Sequence, residues 1–265
     1  MLVSSLVALA LAQTAAAPDA PRPTPSVDVH VIEARTPSMA GRFEVTVFPA
    51  VAQLNGLYTQ HAGTLGQVTW HVREHFGLMV FGGGNWLSRE SAFNGELIGN
   101  AAIAPQTAAS LLWTWTTMAG VEVTPFYGKF ALFDVGLAHF SVVINGAAGV
   151  GGTRHTLLPE GRQAATYGDT GTRFMAALGA GFRLGLGRHV AVRLEVRDVV
   201  YTARVDRVNG CTAADLGVGA SPGAGCSLSS FDSAAEVAIA RGLVRTPSSE
   251  VLHSVGAYAG VSVVF

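Results

Sequence analysis

The sequence ends in Ala257-Tyr258-Ala259-Gly260-Val261-Ser262-Val263-Val264-Phe265. Counting back from Phe265, every second residue is apolar, whereas Ser262 and Gly260 between them are polar or small. Alternation with a period of two is typical of a β-strand that has one apolar face. Tyr258 is an exception to the pattern, because it shares a face with the polar and small residues. The chain is therefore predicted to finish on a half-apolar strand.

The same alternation recurs along the chain and predicts eight strands. Short turns follow strands two, four and six, and they fall at the same end as both termini, whereas the longer connections fall at the other end. This asymmetry is typical of small bacterial membrane barrels. We predict an all-β, eight-stranded antiparallel transmembrane up-and-down β-barrel. The strands are expected at 42–48, 63–72, 76–86, 113–129, 138–151, 173–186 and 190–204, with the last ending at Phe265.

Composition agrees with a membrane barrel. Charged residues make up 13% of the chain, glycines number 32 and the formal net charge is −1, whereas soluble domains carry about 25% charged residues. A helical membrane protein needs apolar runs of about 18 residues, and the best candidate, 97–113, is interrupted by Asn100, Pro105 and Gln106. A β-sandwich would not segregate its loops by length. A soluble lipocalin-type barrel would have a polar outward face, whereas here the apolar face lies opposite the charges.

The N-terminus indicates an exported protein. Residues 1–12 resemble a signal peptide, with cleavage expected after Ala12 or as late as Ala17, although the usual basic start is missing. A Pro-rich N-terminal segment, 13–41, precedes the barrel at 42–265. In an exported protein, Cys211 and Cys226 are expected to form a disulfide, which contributes about 3 kcal/mol for a loop of this length. Two cysteines without a nearby histidine fall short of a zinc site.

The predicted inward face carries a set of charged and imidazole side chains. An eight-stranded barrel is just wide enough for side chains to fill it, and unpaired charges there would be costly. In the last short hairpin Arg183 should face Arg193, so carboxylates are needed nearby. We predict a lumen plugged by an Arg/Glu network, with a narrow channel for ions or small solutes as the alternative. The network residues are Glu44, His71, Glu122, His139, Arg173, Arg183, Arg193, Glu195 and Arg197.

Chemical motifs are scarce. His71, His139 and Asp198 could supply an outer-membrane hydrolase, which is the second alternative, but the chain has no Gly-x-Ser-x-Gly motif and no metal-spaced cluster. We therefore predict no enzymatic activity, no catalytic residue, no cofactor and no metal, and the absence of a basic patch predicts no nucleic-acid partner. Asp198 breaks the alternation and is expected at the rim or at a bulge, and the Gly82-Gly83-Gly84 run is expected to make its strand flexible or kinked. Interfacial aromatic girdles are expected from Trp70, Trp86, Trp113, Trp115 and Tyr127.

The chain resembles the outer-membrane β-barrel domain proteins of myxobacteria and their relatives. The matching stretches are 31–57, 70–76 (WHVREHF), 125–130 (PFYGKF) and 181–198, which includes RHVAVRLEVRD. The resemblance implies the fold and a location in the outer membrane of a Gram-negative-type bacterium, and it implies little about function. We predict a porin-like monomer with a structural or docking role in the cell envelope. Its expected partners are outer-membrane lipid, the barrel-assembly machinery and another envelope protein. The terminal strand, with Phe265, Val263 and Val261, then resembles the signal that this machinery reads.

Overall fold

The computed structural model describes residues 38–55, 58–91, 111–132, 136–158 and 165–265. The predicted signal peptide and nearly all of the Pro-rich segment lie outside these residues. The described residues form eight strands, one 3-10 turn at Leu228–Ser230 and one α-helix. The elements are β1 Phe43–Asn55, β2 Thr59–Arg73, β3 Phe76–Glu90, β4 Leu112–Leu132, β5 Gly136–Leu158, β6 Thr166–Gly185, β7 Val190–Thr202, α1 Ala234–Arg245 and β8 Val251–Val264.

The eight strands close into one ring. Each strand pairs antiparallel with its neighbours in sequence, and β8 returns to pair with β1, with Val45 opposite Val263 and Val47 opposite Val261. Closure leaves no unpaired sheet edge. The terminal strand alternates between exposed and buried residues along its whole length, as its sequence pattern predicts. The predicted fold class, an eight-stranded antiparallel up-and-down barrel of the transmembrane type, is confirmed.

The two faces of the sheet differ in chemistry in the way that the alternation predicts. Outward positions are apolar, and many of them are at least one-third exposed, for example Phe182 at 54% and Leu194 at 49%. Inward positions near one end of the barrel are polar or charged, and Arg193 and Glu44 are both fully buried. This arrangement is inverted relative to a soluble barrel and is that of a barrel in contact with hydrocarbon.

The connections separate into two ends. One end, here called the turn end, holds the N-terminus of β1, the C-terminus of β8, the turns at 74–75 and 186–189, and the short connection from β4 to β5. The other end, here called the loop end, holds the connections 91–111, 159–165 and 203–250. The sequence predicts four long connections at the loop end. This is wrong for the connection between β1 and β2, because both strands extend until only residues 56–58 separate them.

Several register shifts interrupt the sheet, and two of them lie in β1 and β3. In β1 the register shifts around Pro49 and Ala50 against both neighbouring strands, because proline has no backbone N–H and is confined to bulges within a sheet. In β3 one extra residue, Trp86, lies between the pairs Leu87–Ala62 and Asn85–Gly63. The expected kink at Gly82-Gly83-Gly84 is wrong, since this run pairs regularly with β2. A Cβ at Gly83 would lie 2.2 Å from the Thr64 carbonyl oxygen.

The last connection, 203–250, is an ordered structure that we call the cap. It contains the disulfide between Cys211 and Cys226, the 3-10 turn and α1. The helix begins after Ser233, whose side chain accepts a hydrogen bond from the Glu236 N–H, while the Glu236 carboxylate accepts one from the Asp232 N–H. This reciprocal capping satisfies backbone donors that a helix start leaves free.

Candidate functional site: the barrel lumen

A charged layer fills the lumen toward the turn end. We define it as Glu44, His71, Glu122, Arg183, Arg193, Glu195 and Arg197, contributed by five different strands. Each of these side chains is buried. The layer combines three carboxylates, three guanidinium groups and one imidazole, so the formal charges of its Glu and Arg side chains cancel.

Arg193 is the centre of the charged layer. Its Nη1 lies 3.2 Å from Glu44 Oε1 and its Nη2 lies 2.7 Å from Glu195 Oε1. The same Nη2 also contacts Glu122. One fully buried guanidinium therefore joins carboxylates from three strands, β1, β4 and β7, and ties opposite sides of the barrel together.

Arg183 and Arg193 are direct register partners in the β6–β7 hairpin, as the sequence predicts. Their repulsion is offset by two carboxylates, Glu44 and Glu122, which both arginines contact. Arg183 Nη1 lies 2.7 Å from Glu44 Oε2, and Arg183 Nε donates to Ser141 Oγ at 3.1 Å. Glu44 also lies 2.9 Å from His71 Nε2. Glu195 contacts Arg193 of this pair and also Arg197.

Arg197 lies beside three aromatic rings, Phe48, Phe81 and Tyr258, which we call the aromatic collar. Its guanidinium carbon lies 5.1, 4.9 and 5.0 Å from the three ring centroids, respectively. Its Nε donates to Glu195 Oε2 at 2.9 Å. Cation–π contacts of this kind strengthen when water is excluded. The inward position of Tyr258 explains why this aromatic residue shares a face with the polar and small residues of the terminal strand.

Two predicted network residues lie elsewhere. Arg173 is near the loop end, where its Nε donates to Thr153 Oγ1 at 2.9 Å and its Nη2 donates to the Thr170 carbonyl at 3.3 Å. Arg173 makes no contact with the charged layer, so its inclusion there is wrong. His139 is near the turn end, opposite Gly185, and neither of its ring nitrogens has a hydrogen-bond partner among the described residues.

One part of the charged layer has the composition of a metal site. Glu44, His71 and Glu122 each offer a ligand atom within 4.8 Å of the others. Arg183 and Arg193 already contact both carboxylates, and two guanidinium charges so close would repel a cation. The geometry therefore describes an ion-pair network.

Much of the loop-end half of the lumen is apolar, although buried polar side chains such as His61, Thr153 and Arg173 also lie there. Inward side chains such as Met118, Met175 and Trp113 continue directly into buried side chains of the cap, including Leu216 and Val244. The Tyr201 hydroxyl donates to the Leu111 carbonyl at 3.0 Å. We call this set the apolar plug: Leu111, Trp113, Met118, Leu157, Met175, Tyr201, Val205, Val208, Leu216, Phe231, Ala240 and Val244.

The cap is held by covalent and polar links. The predicted disulfide joins Cys211, which is fully buried, to Cys226. Asp215 accepts hydrogen bonds from the Thr212 N–H at 2.8 Å and from the Gly223 N–H at 2.7 Å. These bonds, together with one from the Thr212 hydroxyl, lower the pKa of Asp215 below its ordinary value. The polar segment between the cysteines is therefore folded onto itself.

The outward polar and aromatic residues are placed as follows. Trp70, Trp86, Trp115 and Tyr127 are exposed outward, but Trp113 is 2% exposed and points into the plug, so its assignment to the girdle is wrong. Asp198 faces outward and lies 2.7 Å from His253 Nδ1. Because β7 pairs without a register shift, the expected bulge at Asp198 is also wrong. The predicted assembly-signal residues Phe265, Val263 and Val261 lie on the outward face, exposed by 68%, 39% and 51%.

Some lumen residues were not identified as site residues from the sequence. Gln67 and Asn145 contact Glu122 and Glu195, respectively, and their positions in the alternation were a sufficient signal. The aromatic collar and the apolar plug had no such signal, because apolar residues on both faces of a strand do not indicate which face is inward. The cap helix had a recognisable sequence signal, which is the capping sequence Ser233-Ala-Ala-Glu236.

Among known structures, the barrel is similar to three outer-membrane proteins. The N-terminal barrel domain of Pseudomonas aeruginosa OprF matches with a TM-score of 0.37 and 8% identity, covering 85% of this chain and 98% of that chain. Yersinia pestis Ail matches with a TM-score of 0.38 and 7% identity, covering 86% of this chain and 100% of that chain. Neisserial surface protein A matches with a TM-score of 0.37 and 10% identity, covering 84% of this chain and 97% of that chain. Likeness this distant does not define a ligand, partner or activity.

No protein-family model and no curated protein matches the chain. Across the residues that the structure describes, no helix combines the length and the apolar character needed to cross a bilayer.

Proposed function

We propose that this protein is a non-catalytic integral outer-membrane barrel that anchors its cap at the surface of a Gram-negative-type cell. The observation that carries the proposal is the pairing of an apolar outward face with a lumen filled by paired charges and apolar side chains. The outward face supports insertion in lipid. The filled lumen supports an anchoring or docking role over transport.

The height of the apolar face fits a bilayer. On β6 the outward residues run from Leu184 to Phe174, through Phe182 and Leu178. Ten residues at about 3.3 Å each, tilted by about 40°, span about 25 Å, which is the height of the lipid-facing band of outer-membrane barrels. Exposed aromatic side chains lie near both limits, with Tyr127 toward the turn end and Trp115 toward the loop end.

A closed lumen follows from two seals in series. The charged layer crosses the barrel through Arg193, and an ion would have to break several buried ion pairs to pass it. The apolar plug then fills much of the loop end, and its side chains would not replace the hydration shell of an ion. The Arg/Glu network accordingly acts as a structural plug.

The cap is the part of the protein that we assign to docking. It is ordered by a disulfide and a capped helix, and its outer surface exposes apolar residues such as Val218, at 90%. We propose another envelope protein as its partner. The same proposal includes several further expectations. The protein is related to the myxobacterial barrel family, has a signal peptide at 1–12 and a Pro-rich segment at 13–41, and is monomeric in lipid. The barrel-assembly machinery recognises its terminal strand through Phe265, Val263 and Val261.

Heat-modifiability tests the membrane barrel. The protein refolded in detergent is run unboiled and boiled on a denaturing gel, with and without reductant. We expect a mobility shift on boiling that survives reductant, because the barrel closes through backbone hydrogen bonds and not through the disulfide. A protein that is soluble without detergent and shows no shift would refute insertion in a membrane.

Conductance tests the closed lumen. In planar bilayers the refolded protein should give no steady single-channel step. A steady step in the unmodified protein would support the alternative, a narrow channel for ions or small solutes. Hydrolysis of lipid that is lost on substitution of His71 or Asp198 would support the second alternative, an outer-membrane hydrolase.

A further inference from the structure

A polar cavity of about 400 Å³ lies at the loop end on the outward side of β4, β5 and β6. On β6 the outward residue that precedes it is Phe174, and on β5 it is Val150, so the cavity begins where the apolar face ends. Its walls are formed mainly by Trp115, Arg154, Tyr167, Asp169, Thr172 and Asn209.

Two opposite charges face this cavity without pairing to each other. Arg154 and Asp169 are register partners across β5 and β6, a position at which an ion pair is expected. Instead, the Arg154 guanidinium lies 4.0 Å from the centroid of the Tyr167 ring, and its Nη2 donates to the Ser88 carbonyl at 3.1 Å. One carboxylate oxygen of Asp169 accepts from the Gly171 N–H at 2.8 Å. Arg154 Nη1 and Asp169 Oδ2 have no partner among the described residues.

The walls of the cavity are fixed in place. The Trp115 ring lies against the backbone of Gly152, where a Cβ would come within 2.2 Å of the indole Nε1. The cap closes another side, because Asn209 exchanges two hydrogen bonds with the Asp169 backbone, at 2.7 and 2.8 Å. Asn209 adopts a positive φ of 48° to do so. The cavity is therefore formed before any ligand arrives, which lowers the entropic cost of binding.

We infer that this cavity binds a saccharide unit. A sugar ring has hydroxyl groups around its edge and apolar C–H faces. The cavity offers matching groups: a carboxylate that can accept hydrogen bonds from hydroxyl groups, a guanidinium that can donate hydrogen bonds, an amide, and a flat indole ring. The equal numbers of cationic and anionic groups favour a neutral ring over a phosphate. If the membrane orientation under Proposed function is right, the cavity lies at the level of the outer headgroups, and the sugar belongs to a glycolipid or to a polysaccharide at the cell surface.

The test uses the refolded full-length protein in detergent and two soluble probes. The first is the core oligosaccharide released from lipopolysaccharide, and the second is a neutral glucan oligosaccharide. Binding is measured by calorimetry, and contact with the protein by saturation-transfer NMR. The variants are Trp115→Leu, which removes the platform, and Asp169→Asn, which keeps an acceptor for Gly171 but removes the charge. Trp86→Leu and Asp206→Asn are matched controls, because both residues are exposed and lie outside the cavity.

We expect at least one probe to bind, and we expect each cavity variant to weaken it by at least about tenfold, with both controls unchanged within about twofold. Binding of the core oligosaccharide alone assigns the sugar to a glycolipid, whereas binding of the glucan alone assigns it to a polysaccharide. Binding of neither probe, or equal binding by cavity and control variants, overturns the inference. The boiling shift of each variant, run in parallel, separates this failure from a failure of the membrane barrel.

Discussion

The two halves of the lumen close the same barrel by different physical means. Near the turn end, Arg193 and its three carboxylates are buried and paired, so stability depends on the geometry of each contact. Near the loop end, apolar side chains of the wall and of the cap pack together, so stability depends on the area removed from water. The first half is made by strands alone, whereas the second requires a segment that folds back from outside the sheet.

The comparison shows where the barrel should be sensitive. A buried ion pair that loses one partner leaves an uncompensated charge, and this costs more than the pair itself contributes. A packed apolar site that loses atoms is left with a cavity, whose cost depends on how far the neighbours relax. Charge deletions in the charged layer should therefore have larger effects than truncations in the cap.

The largest expected effect comes from Arg193→Met. The substitution leaves Glu44, Glu122 and Glu195 with two guanidinium groups in place of three, and we expect a loss of about 3–5 kcal/mol in the free energy of unfolding. Urea unfolding in lipid vesicles, followed by tryptophan fluorescence, measures it. Arg188→Met, in the exposed β6–β7 turn, is the matched control and should change little. Equal effects of the two variants would mean that water screens the charged layer.

The double variant Cys211→Ser/Cys226→Ser is expected to weaken only the loop-end half. Loss of a 15-residue disulfide loop removes about 3 kcal/mol from the stability of the cap. We expect faster amide exchange across 203–250, an unchanged boiling shift and no conductance, since the charged layer still closes the lumen. A conductance step in this variant would show instead that the cap is the principal seal.

Leu216→Ala probes the contact of the cap with the apolar plug. Leu216 is 1% exposed, whereas nearby Val218 is 90% exposed. We expect a loss of about 2–3 kcal/mol for Leu216→Ala, at the low end for a buried leucine because a connecting segment can collapse around the cavity. Val218→Ala should have no measurable effect. Amide exchange in α1 is the measurement, and similar exchange in both variants would contradict burial of the cap.

The smallest effect concerns the turn end outside the bilayer. Burial raises the pKa of Glu74, but hydrogen bonds from the Ser38 hydroxyl and the Met39 N–H outweigh it, so the pKa lies below its ordinary value. The carboxylate therefore stabilises this contact above the unfolded pKa of about 4.3, and the contribution is lost as the pH falls through the lower folded pKa. The Met39 amide chemical shift should report this transition. Glu74→Gln should abolish it, and a transition that persists in this variant belongs to another group.

Much of the charged layer was predictable because strand alternation assigns faces one residue at a time. Glu44, Glu122 and Glu195 each occupy the polar face of a recognisable strand, and the Arg183–Arg193 register follows from a short hairpin. The partner of each guanidinium was not predictable, since pairs such as Arg193 with Glu44 join residues about 150 positions apart. Trp113 and Asp198 were misplaced for a related reason, because local irregularities and cross-strand partners decide the orientation and environment of a side chain.

The sequence alone determined that the chain forms eight half-apolar strands with charges on one face, because a period of two is a local property of neighbouring residues. It also determined that two cysteines lie close enough along the chain to be joined. Only the tertiary structure decided which charges meet, that an apolar plug completes the lumen, and that the cap folds back onto it. These outcomes depend on ring closure and on packing between distant segments, which the order of residues within any one strand does not specify.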